Sequence, residues 1–167
     1  MTNLAKLDHH LDRKTGVCRA VIETPKGRRS KYDWDPKLKA FRLKSLLPDG
    51  MSFPLDYGFI PSTLADEPVE MGAVLEVRLV GVIEAEESEH GRTERNDRLL
   101  AVAAVSHLYA EVKTPADLPE SFLEHLNQFW VNKAKLEGKD FRVLGVRDPV
   151  VGVDLVDKAA KAAKSAG

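Results

Sequence analysis

The hydrophobic period of this chain changes from strand-like to mainly helical near residue 117, and this change restricts the fold more than any other feature. Before it, short apolar runs alternate with turn residues, as in "CRAVIETP", "SKYDWD" and "AFRLKSLL", which is typical of β-strands. After it, apolar residues recur at helical spacing. Strands followed by helices indicate an α+β protein, built from a small barrel or curled sheet with helices packed on its outside.

The longest β-rich run, "AVLEVRLVGVIEAE", predicts a strand in which Val74, Val80 and Val82 belong to the core. The polar stretch "EESEHGRTERND" that follows predicts a loop. The next run, "RLLAVAAVS", predicts another strand.

The last third of the chain predicts two helices with a strand between them. Asp117 is the expected N-cap of the first helix, with Glu120 reaching back towards it, and Gly138 is the expected end. The apolar positions at helical spacing are Phe122, Leu126, Phe129 and Leu136. "DFRVLGV" predicts the strand, and the alanine-rich residues 151–167 predict a terminal helix.

Length and composition exclude several classes of protein. The 167 residues, without repeats or linkers, predict one domain over 1–167. A formal charge of −1 gives no global attraction to nucleic acid or to anionic membranes. No run resembles a signal peptide or a membrane span, so we expect a cytoplasmic protein. The lone Cys18 lies in apolar "VCRAVIET", which predicts a small buried side chain rather than a nucleophile.

A group of charges that suits an anion and a metal lies around the turn in "TPKGRRSKYDWD". Lys31 and Asp33 are two apart on a predicted strand, so they face the same side, and hairpin pairing brings Glu23 close to them. Two adjacent carboxylates and a lysine are costly to place together, because the carboxylates repel each other, unless a metal and an anion balance the group. A solvated charged hairpin explains the same pattern. A nucleic-acid patch over residues 26–31 is weaker, because no aromatic residues are interleaved.

A second candidate is the tyrosine in "FPLDYGFIP", which prolines and a glycine bracket. One interpretation is that the hydroxyl group of Tyr57 donates to a phosphate oxygen. An aromatic plug at one end of a barrel is an equal alternative from composition alone.

These segments together resemble the soluble family I inorganic pyrophosphatases. "VIETPKGRRSKYDWD", "FRLKSLLPDGMSFPLDYGFIPSTLAD", "RLVGVIEAEE" and "RNDRLLAVA" occur in that family's order, and "HLNQFWVNKAKLEGKDFRVLG" resembles its late helix and the following strand. The resemblance runs from about Val17 to about Gly145. It implies an OB-like five-stranded β-barrel with outer helices, and Mg²⁺ ions held in an acid-lined pocket for the hydrolysis of pyrophosphate.

The resemblance also implies roles for individual residues. Glu23 is implied as a metal-site carboxylate. Lys31 is implied as a phosphate contact, with Asp33 beside it as a shorter stand-in for the family's usual glutamate. Lys44 falls where many members carry a phosphate-binding arginine, so it keeps the charge but loses the bidentate fork. Tyr57 matches a phosphate-contacting tyrosine.

The acidic motif that the resemblance leads one to expect is missing. After a stretch like "STLAD" the family has Asp-Gly-Asp-Pro-x-Asp, whereas here "EPVEMG" follows Asp66 at once. In the favoured alignment a segment is deleted after Asp66, and "EPVEMG" matches a later proline-glycine turn. In the other, "DEPVE" is a reduced form of the motif, with Asp66, Glu67 and Glu70 as metal ligands.

The second acidic group of the family falls in "EAEESEHGRTERNDRLL". Glu87 and Asp97 are its best candidates as metal ligands. Exact placement before "RLLAVA" puts Asn96 where an aspartate is expected, and a shift of one residue restores Asp97. Arg98 replaces a lysine, and Lys133 falls at a tyrosine. We expect Lys133 and Lys135 to be solvated helix lysines, with contact to a phosphate as the alternative.

Three functions remain open from the sequence. The resemblance implies a Mg²⁺-dependent inorganic diphosphatase that binds pyrophosphate and phosphate, and cytoplasmic homo-oligomers, with a hexamer as one expected state. The alternative is a non-catalytic relative that binds phosphate or a partner protein, since the missing carboxylates weaken hydroxide formation at a metal. A nucleic-acid-binding OB-like domain has only the basic turn at residues 26–31 in its favour.

Overall fold

The computed structural model describes residues 3–61 and 72–166, with side chains to residue 165. The strands are β1 Val17–Thr24, β2 Ser30–Asp35, β3 Ala40–Leu46, β4 Tyr57–Phe59, β5 Ala73–Glu89, β6 Arg92–Arg95, β7 Arg98–Ala103 and β8 Asp140–Arg147. The helices are α1 Glu120–Leu136 and α2 Pro149–Ala166, with one-turn 3₁₀ helices at Leu4–Lys6 and Pro115–Asp117. Strands therefore precede helices, apart from β8, as the change of period predicts.

The chain divides into two compact units. The first comprises Met1–Val77 and Asp154–Gly167, and the second comprises Arg78–Val153. Strand β5 thus contributes its residues 73–77 to the first unit and the remainder to the second. The expectation of a single domain stays a prediction.

The first unit contains two pieces of sheet. Strand β1 pairs with β4 in antiparallel fashion and also neighbours β5, while β2 and β3 form a separate antiparallel pair. Its buried apolar side chains come from β1, the segments on either side of β4, the start of β5 and helix α2, and they are Cys18, Val21, Leu47, Phe53, Ile60, Val77, Val156 and Ala160.

The second unit is built on the long strand β5. Strands β6 and β8 pair with β5 in antiparallel fashion, and β7 also pairs with it. Helix α1 lies against β8, where the Trp130 ring centroid is 6.0 Å from that of Phe141. The pairings among the described strands do not close a ring.

The core predictions for β5 are confirmed at Val80 and Val82, which are 2% and 0% exposed, and wrong at Val74, which is 42% exposed. Val74 lies near the start of the strand, where the burial pattern is still exposed, and both faces become covered only later.

The loop predicted from "EESEHGRTERND" is also wrong, because most of this stretch is a β-hairpin. Strand β5 continues to Glu89, which pairs with Arg92. The two-residue turn between them, His90 and Gly91, has φ of +49° and +77°. Positive φ at both positions matches the twist of a hairpin, but histidine is an unusual first residue for such a turn. Composition alone therefore indicated a loop.

Helix α1 begins later than the capping pattern predicts. Pro119 is the N-cap, and the Asp117 carboxylate instead accepts hydrogen bonds from the backbone N–H groups of Lys113 at 2.9 Å and Thr114 at 2.8 Å. These bonds lower the pKa of Asp117 and stabilise the one-turn helix before α1. The predicted end is confirmed, since Gly138 follows the helix with φ of +76°. Within residues 3–61 and 72–166, no helix combines the length and apolar character needed to cross a membrane.

Burial of Cys18 leads to a testable pH dependence. The side chain is 1% exposed, as predicted, and burial raises the pKa of its thiol from 9.0 to about 11. Between these values the unfolded thiol loses its proton while the folded thiol keeps it. The free energy of unfolding is therefore expected to fall as pH rises from 9 towards about 11.

Denaturant unfolding across this pH range, with Cys18→Ala beside the wild type, measures the effect. The variant should lose less stability over the same interval, because it lacks the buried thiol. Parallel curves for the two proteins would contradict the assignment.

Candidate active site

A β-bulge in the first unit positions the first predicted site residue. Ile22 lies opposite Gly58 and Thr24 lies opposite Tyr57, so Glu23 is an extra residue on β1. A bulge breaks the alternation of side chains and re-aims the residue it contains. Consecutive side chains are consequently both buried here, with Glu23 0% and Thr24 1% exposed.

Both of these side chains receive hydrogen bonds from the backbone of β2. The Trp34 N–H donates to Glu23 Oε1 at 2.9 Å, and the Tyr32 N–H donates to Thr24 Oγ1 at 3.4 Å. A fully buried carboxylate is costly unless donors or positive charge compensate it. The contact with Trp34 provides one donor and ties the β2–β3 pair to the end of β1.

A second bulge lies on β3 and positions Lys44. Lys31 pairs with Ser45 and Tyr32 pairs with Leu43, so Lys44 is the extra residue between the two partners. Its ammonium group lies 3.0 Å from Asp33 Oδ2.

The charges of this hairpin are unequally exposed. Lys31 as a whole is 8% exposed, and the Asp33 side chain is 15% exposed. The side chain of Lys44 is 46% exposed, so the cation of this ion pair is more accessible to solvent than the Asp33 carboxylate. The other carboxylate oxygen, Asp33 Oδ1, is buried and has no hydrogen-bond partner among the described residues. This oxygen is therefore an acceptor that a cation or an incoming donor would satisfy.

Tyr57 lies next to the first bulge, opposite Thr24. Its ring meets that of Phe53 edge to face, with centroids 5.2 Å apart and planes at 67°. Phe53 is 1% exposed and forms the buried support for this half-buried tyrosine. The first unit thus holds Glu23, Lys31, Asp33, Lys44 and Tyr57 on β1, the β2–β3 pair and β4.

The second unit contains Glu87 and Asp97, and each already has positive or donor partners. Glu87 Oε1 lies 2.8 Å from the ammonium group of Lys139, which also lies 3.7 Å from Glu89. The hydrogen bond to Glu87 raises the pKa of Lys139 against the opposing effect of partial burial.

Asp97 fixes the chain between β6 and β7. Its Oδ1 accepts the Ala85 N–H at 3.0 Å and lies 2.9 Å from the guanidinium group of Arg95. The hydrogen bond to Asp97 raises the pKa of Arg95. Asn96 donates its backbone N–H to the Ala85 carbonyl at 2.9 Å. The structure thus gives Asp97 a positioning contact on β5.

Trp130 is a residue that the sequence analysis missed. The guanidinium carbon of Arg98 lies 4.3 Å from the centroid of the Trp130 ring. The ammonium nitrogen of Lys133 lies 5.8 Å from a ring centroid of the same tryptophan. Lys133 is 6% exposed and pairs with Glu137 at 2.8 Å, so the prediction of a solvated lysine is wrong. The sequence could have indicated this contact, because Lys133 is three positions after Trp130 and residues at that spacing share one face of a helix.

The described residues do not by themselves fit a divalent metal. Asp66, Glu67 and Glu70 lie outside the described residues, as does the acidic motif that either alignment concerns. Over residues 3–61 and 72–166, no group of three or more histidine, cysteine, aspartate or glutamate side chains is arranged to hold a metal ion. Hard cations require several oxygen ligands, and the single unpartnered oxygen of Asp33 does not supply them.

Known proteins resemble this chain over most of its length. The family model described as inorganic pyrophosphatase matches residues 20–164. The inorganic pyrophosphatase of a Nostoc species is 33% identical over 163 residues, which cover 90% of this chain and 94% of that relative. That of Thermus thermophilus is 34% identical over 152 residues, which cover 82% of this chain and 85% of that relative.

Solved structures agree. The crystal structure of inorganic pyrophosphatase from Thermus thermophilus superposes with a TM-score of 0.86 at 31% identity, covering 98% of this chain and 99% of that one. The predicted α+β, OB-like fold and the predicted resemblance are both confirmed. This chain belongs to the inorganic pyrophosphatase family.

Proposed function

We propose that this chain hydrolyses pyrophosphate to two phosphates, as a divergent inorganic pyrophosphatase. The family supports this class of reaction, and one structural observation supports assigning the reaction to particular residues. Two β-bulges present Glu23 and Lys44, the extra residues of β1 and β3, in the same unit as the buried Lys31. Bulges occur preferentially beside active sites, where they redirect a side chain.

The proposed role of the lysines is to bind and neutralise the substrate. Pyrophosphate is a dense anion, and its hydrolysis needs charge compensation and stabilisation of the leaving phosphate. Lys31 provides a buried cation, whose attraction to phosphate oxygens is weakly screened, and Lys44 provides a half-exposed cation beside Asp33. Tyr57 is proposed to donate its hydroxyl to a phosphate oxygen, supported by the ring of Phe53.

Glu23 and Asp33 are proposed to hold these cations and to orient the nucleophilic water. Lys44 is paired with Asp33 before substrate arrives, so its ammonium is already positioned. A divalent metal, Mg²⁺ in this proposal, supplies charge neutralisation and a more acidic water in such chemistry. The described residues by themselves do not supply the oxygen ligands that such a metal needs. We further propose a homo-oligomer that acts in the cytoplasm on pyrophosphate.

A non-catalytic pyrophosphatase-fold protein, which binds phosphate or a partner protein, is the alternative function. The observation that favours it is in the second unit, where Glu87 pairs with Lys139 and Asp97 pairs with Arg95. Carboxylates that are already neutralised are poor ligands for the metals that generate a nucleophile.

Phosphate release from pyrophosphate, with and without Mg²⁺, distinguishes the two functions. We expect metal-dependent release by the purified full chain, and its loss in Glu23→Gln, which keeps the volume but removes the charge. Glu76→Gln, a change at an exposed glutamate of β5, is the matched control. Pyrophosphate that binds in calorimetry but is not cleaved by the folded wild type would reject the enzyme and favour the alternative.

A further inference from the structure

Each acidic side chain of β5 beyond Ile83 lies beside a cation of the same unit. The pairs are Glu84 with Arg147 at 2.7 Å and with Arg95 at 3.2 Å, Glu86 with Arg142 at 2.7 Å, Glu87 with Lys139 at 2.8 Å, and Glu89 with Lys139 at 3.7 Å. Surface ion pairs are individually weak, but here the whole row is compensated by residues of β6, β8 and the segment before β8. Each carboxylate of the row thus has a cationic neighbour without an added ion, although Lys139 is shared by two glutamates and Arg95 also contacts Asp97.

The backbone positions Lys139 for this role. Gly138 adopts a positive φ, so the chain turns directly from α1 into β8, and the Lys139 N–H donates to the Ala134 carbonyl at 2.9 Å. Strand β8 then pairs with β5 so that Phe141 lies opposite Glu87. The Lys139 side chain is 26% exposed and that of Glu87 is 23% exposed, so the pair is partly withdrawn from water.

Asp97 has a similar arrangement. Arg95 lies two residues before it, at 2.9 Å from Oδ1, and hydrogen-bonds to Oδ2 at 3.0 Å. The Ala85 N–H also donates a hydrogen bond to Oδ1. Donors within the unit therefore engage both carboxylate oxygens, and a metal would have to displace these donors in order to bind.

We propose that Lys139 and Arg95 are built-in counter-cations, and that they prevent Glu87 and Asp97 from binding a divalent metal in the native protein. This inference rests on the proposed function, because it assumes that the protein meets a divalent metal. It deepens that function by stating that Glu87 and Asp97 are not among the metal ligands. Its test measures metal binding and not hydrolysis. A chain that proves inactive would therefore reject the proposed function without deciding this point.

The experiment counts bound Mn²⁺ by electron paramagnetic resonance on the full chain, without pyrophosphate. We expect the wild type and the Glu87→Gln/Asp97→Asn double variant to bind Mn²⁺ equally. Lys139→Met should gain Mn²⁺ binding, with affinity raised by about tenfold or more, because Glu87 and Glu89 both lose the cation that contacts them and can offer their oxygens together. Lys161→Met removes a cation 2.6 Å from Asp157 but leaves Arg13 at 2.8 Å from the same carboxylate, so this control should show no gain.

Two results would overturn the proposal. One is a loss of bound Mn²⁺ in the double variant relative to the wild type, since Glu87 or Asp97 would then be a ligand already. The other is a Lys139→Met variant that is folded by circular dichroism and gains no Mn²⁺. If Lys139→Met does not fold, the comparison of the wild type with the double variant decides alone.

Discussion

Replacement of Lys31 by alanine is expected to lower kcat/KM for pyrophosphate by about 100-fold to 1,000-fold, the range seen when one buried donor to a developing charge is removed. Lys31 is 8% exposed, so its charge acts in a partly dehydrated environment in which attraction to a phosphate oxygen is strong. Steady-state phosphate release over a range of pyrophosphate concentrations measures the change. A fall in kcat as well as a rise in KM would indicate that the lysine stabilises the transition state.

Lys37→Ala is the matched control for this prediction. Lys37 is exposed in the turn of the same hairpin, so its removal deletes the same charge without touching the buried group. We expect Lys37→Ala to retain activity within about twofold, because the charge of an exposed lysine is screened by water and salt. Folded Lys31→Ala protein with unchanged kinetics would remove Lys31 from the site and weaken the enzyme proposal.

Replacement of Phe53 by alanine should lower the free energy of unfolding by about 3 to 5 kcal/mol. The ring is 1% exposed, and its deletion leaves a cavity beside Tyr57. The backbone at this position is tied down as well, since the Phe53 carbonyl accepts the Gly27 N–H at 2.8 Å and its own N–H donates to the Arg28 carbonyl at 2.9 Å. The surroundings therefore have little freedom to collapse into the space. A loss of this size is a large part of the roughly 5 to 15 kcal/mol that keeps a domain folded.

Denaturant unfolding of Phe53→Ala beside Leu46→Ala checks this prediction. Leu46 is 62% exposed, so its truncation should change stability by no more than about 0.5 kcal/mol. Activity of Phe53→Ala, measured where it is still folded, should also fall, because Tyr57 loses the ring against which it packs. Equal stability losses in the two variants would show that the Phe53 ring does not carry the packing of this segment.

The two bulges explain why the candidate site was only partly predictable. Alternation along a strand predicts that Lys31 and Asp33 face the same side, but it cannot predict a bulge, because a bulge depends on which residues the partner strand places opposite. Nothing in the residues around Glu23 or Lys44 reveals that each is the extra residue of its strand. The 3.0 Å contact of Lys44 with Asp33 is a product of that register.

In the second unit, the ion pairs were likewise not predictable from the sequence. The sequence offers Glu87 and Asp97 as acids and places Lys139 far from both along the chain. Only the pairing of β8 with β5 brings the ammonium of Lys139 to 2.8 Å from Glu87. The identity of an acid can be read from the chain, but whether that acid is available to a metal depends on its tertiary neighbours.

The order of strands and helices, the family and the buried Cys18 could all be read from the amino-acid sequence, which also suggests candidate residues for the proposed pyrophosphate site. These follow from local patterns, because hydrophobic period and motif order are properties of neighbouring residues. The tertiary structure alone decided which side chains are buried and paired: Glu23 and Lys44 at bulges, and Lys133 under Trp130. The reason is physical, since bulges, ion pairs and desolvation arise between strands and helices that are distant along the chain.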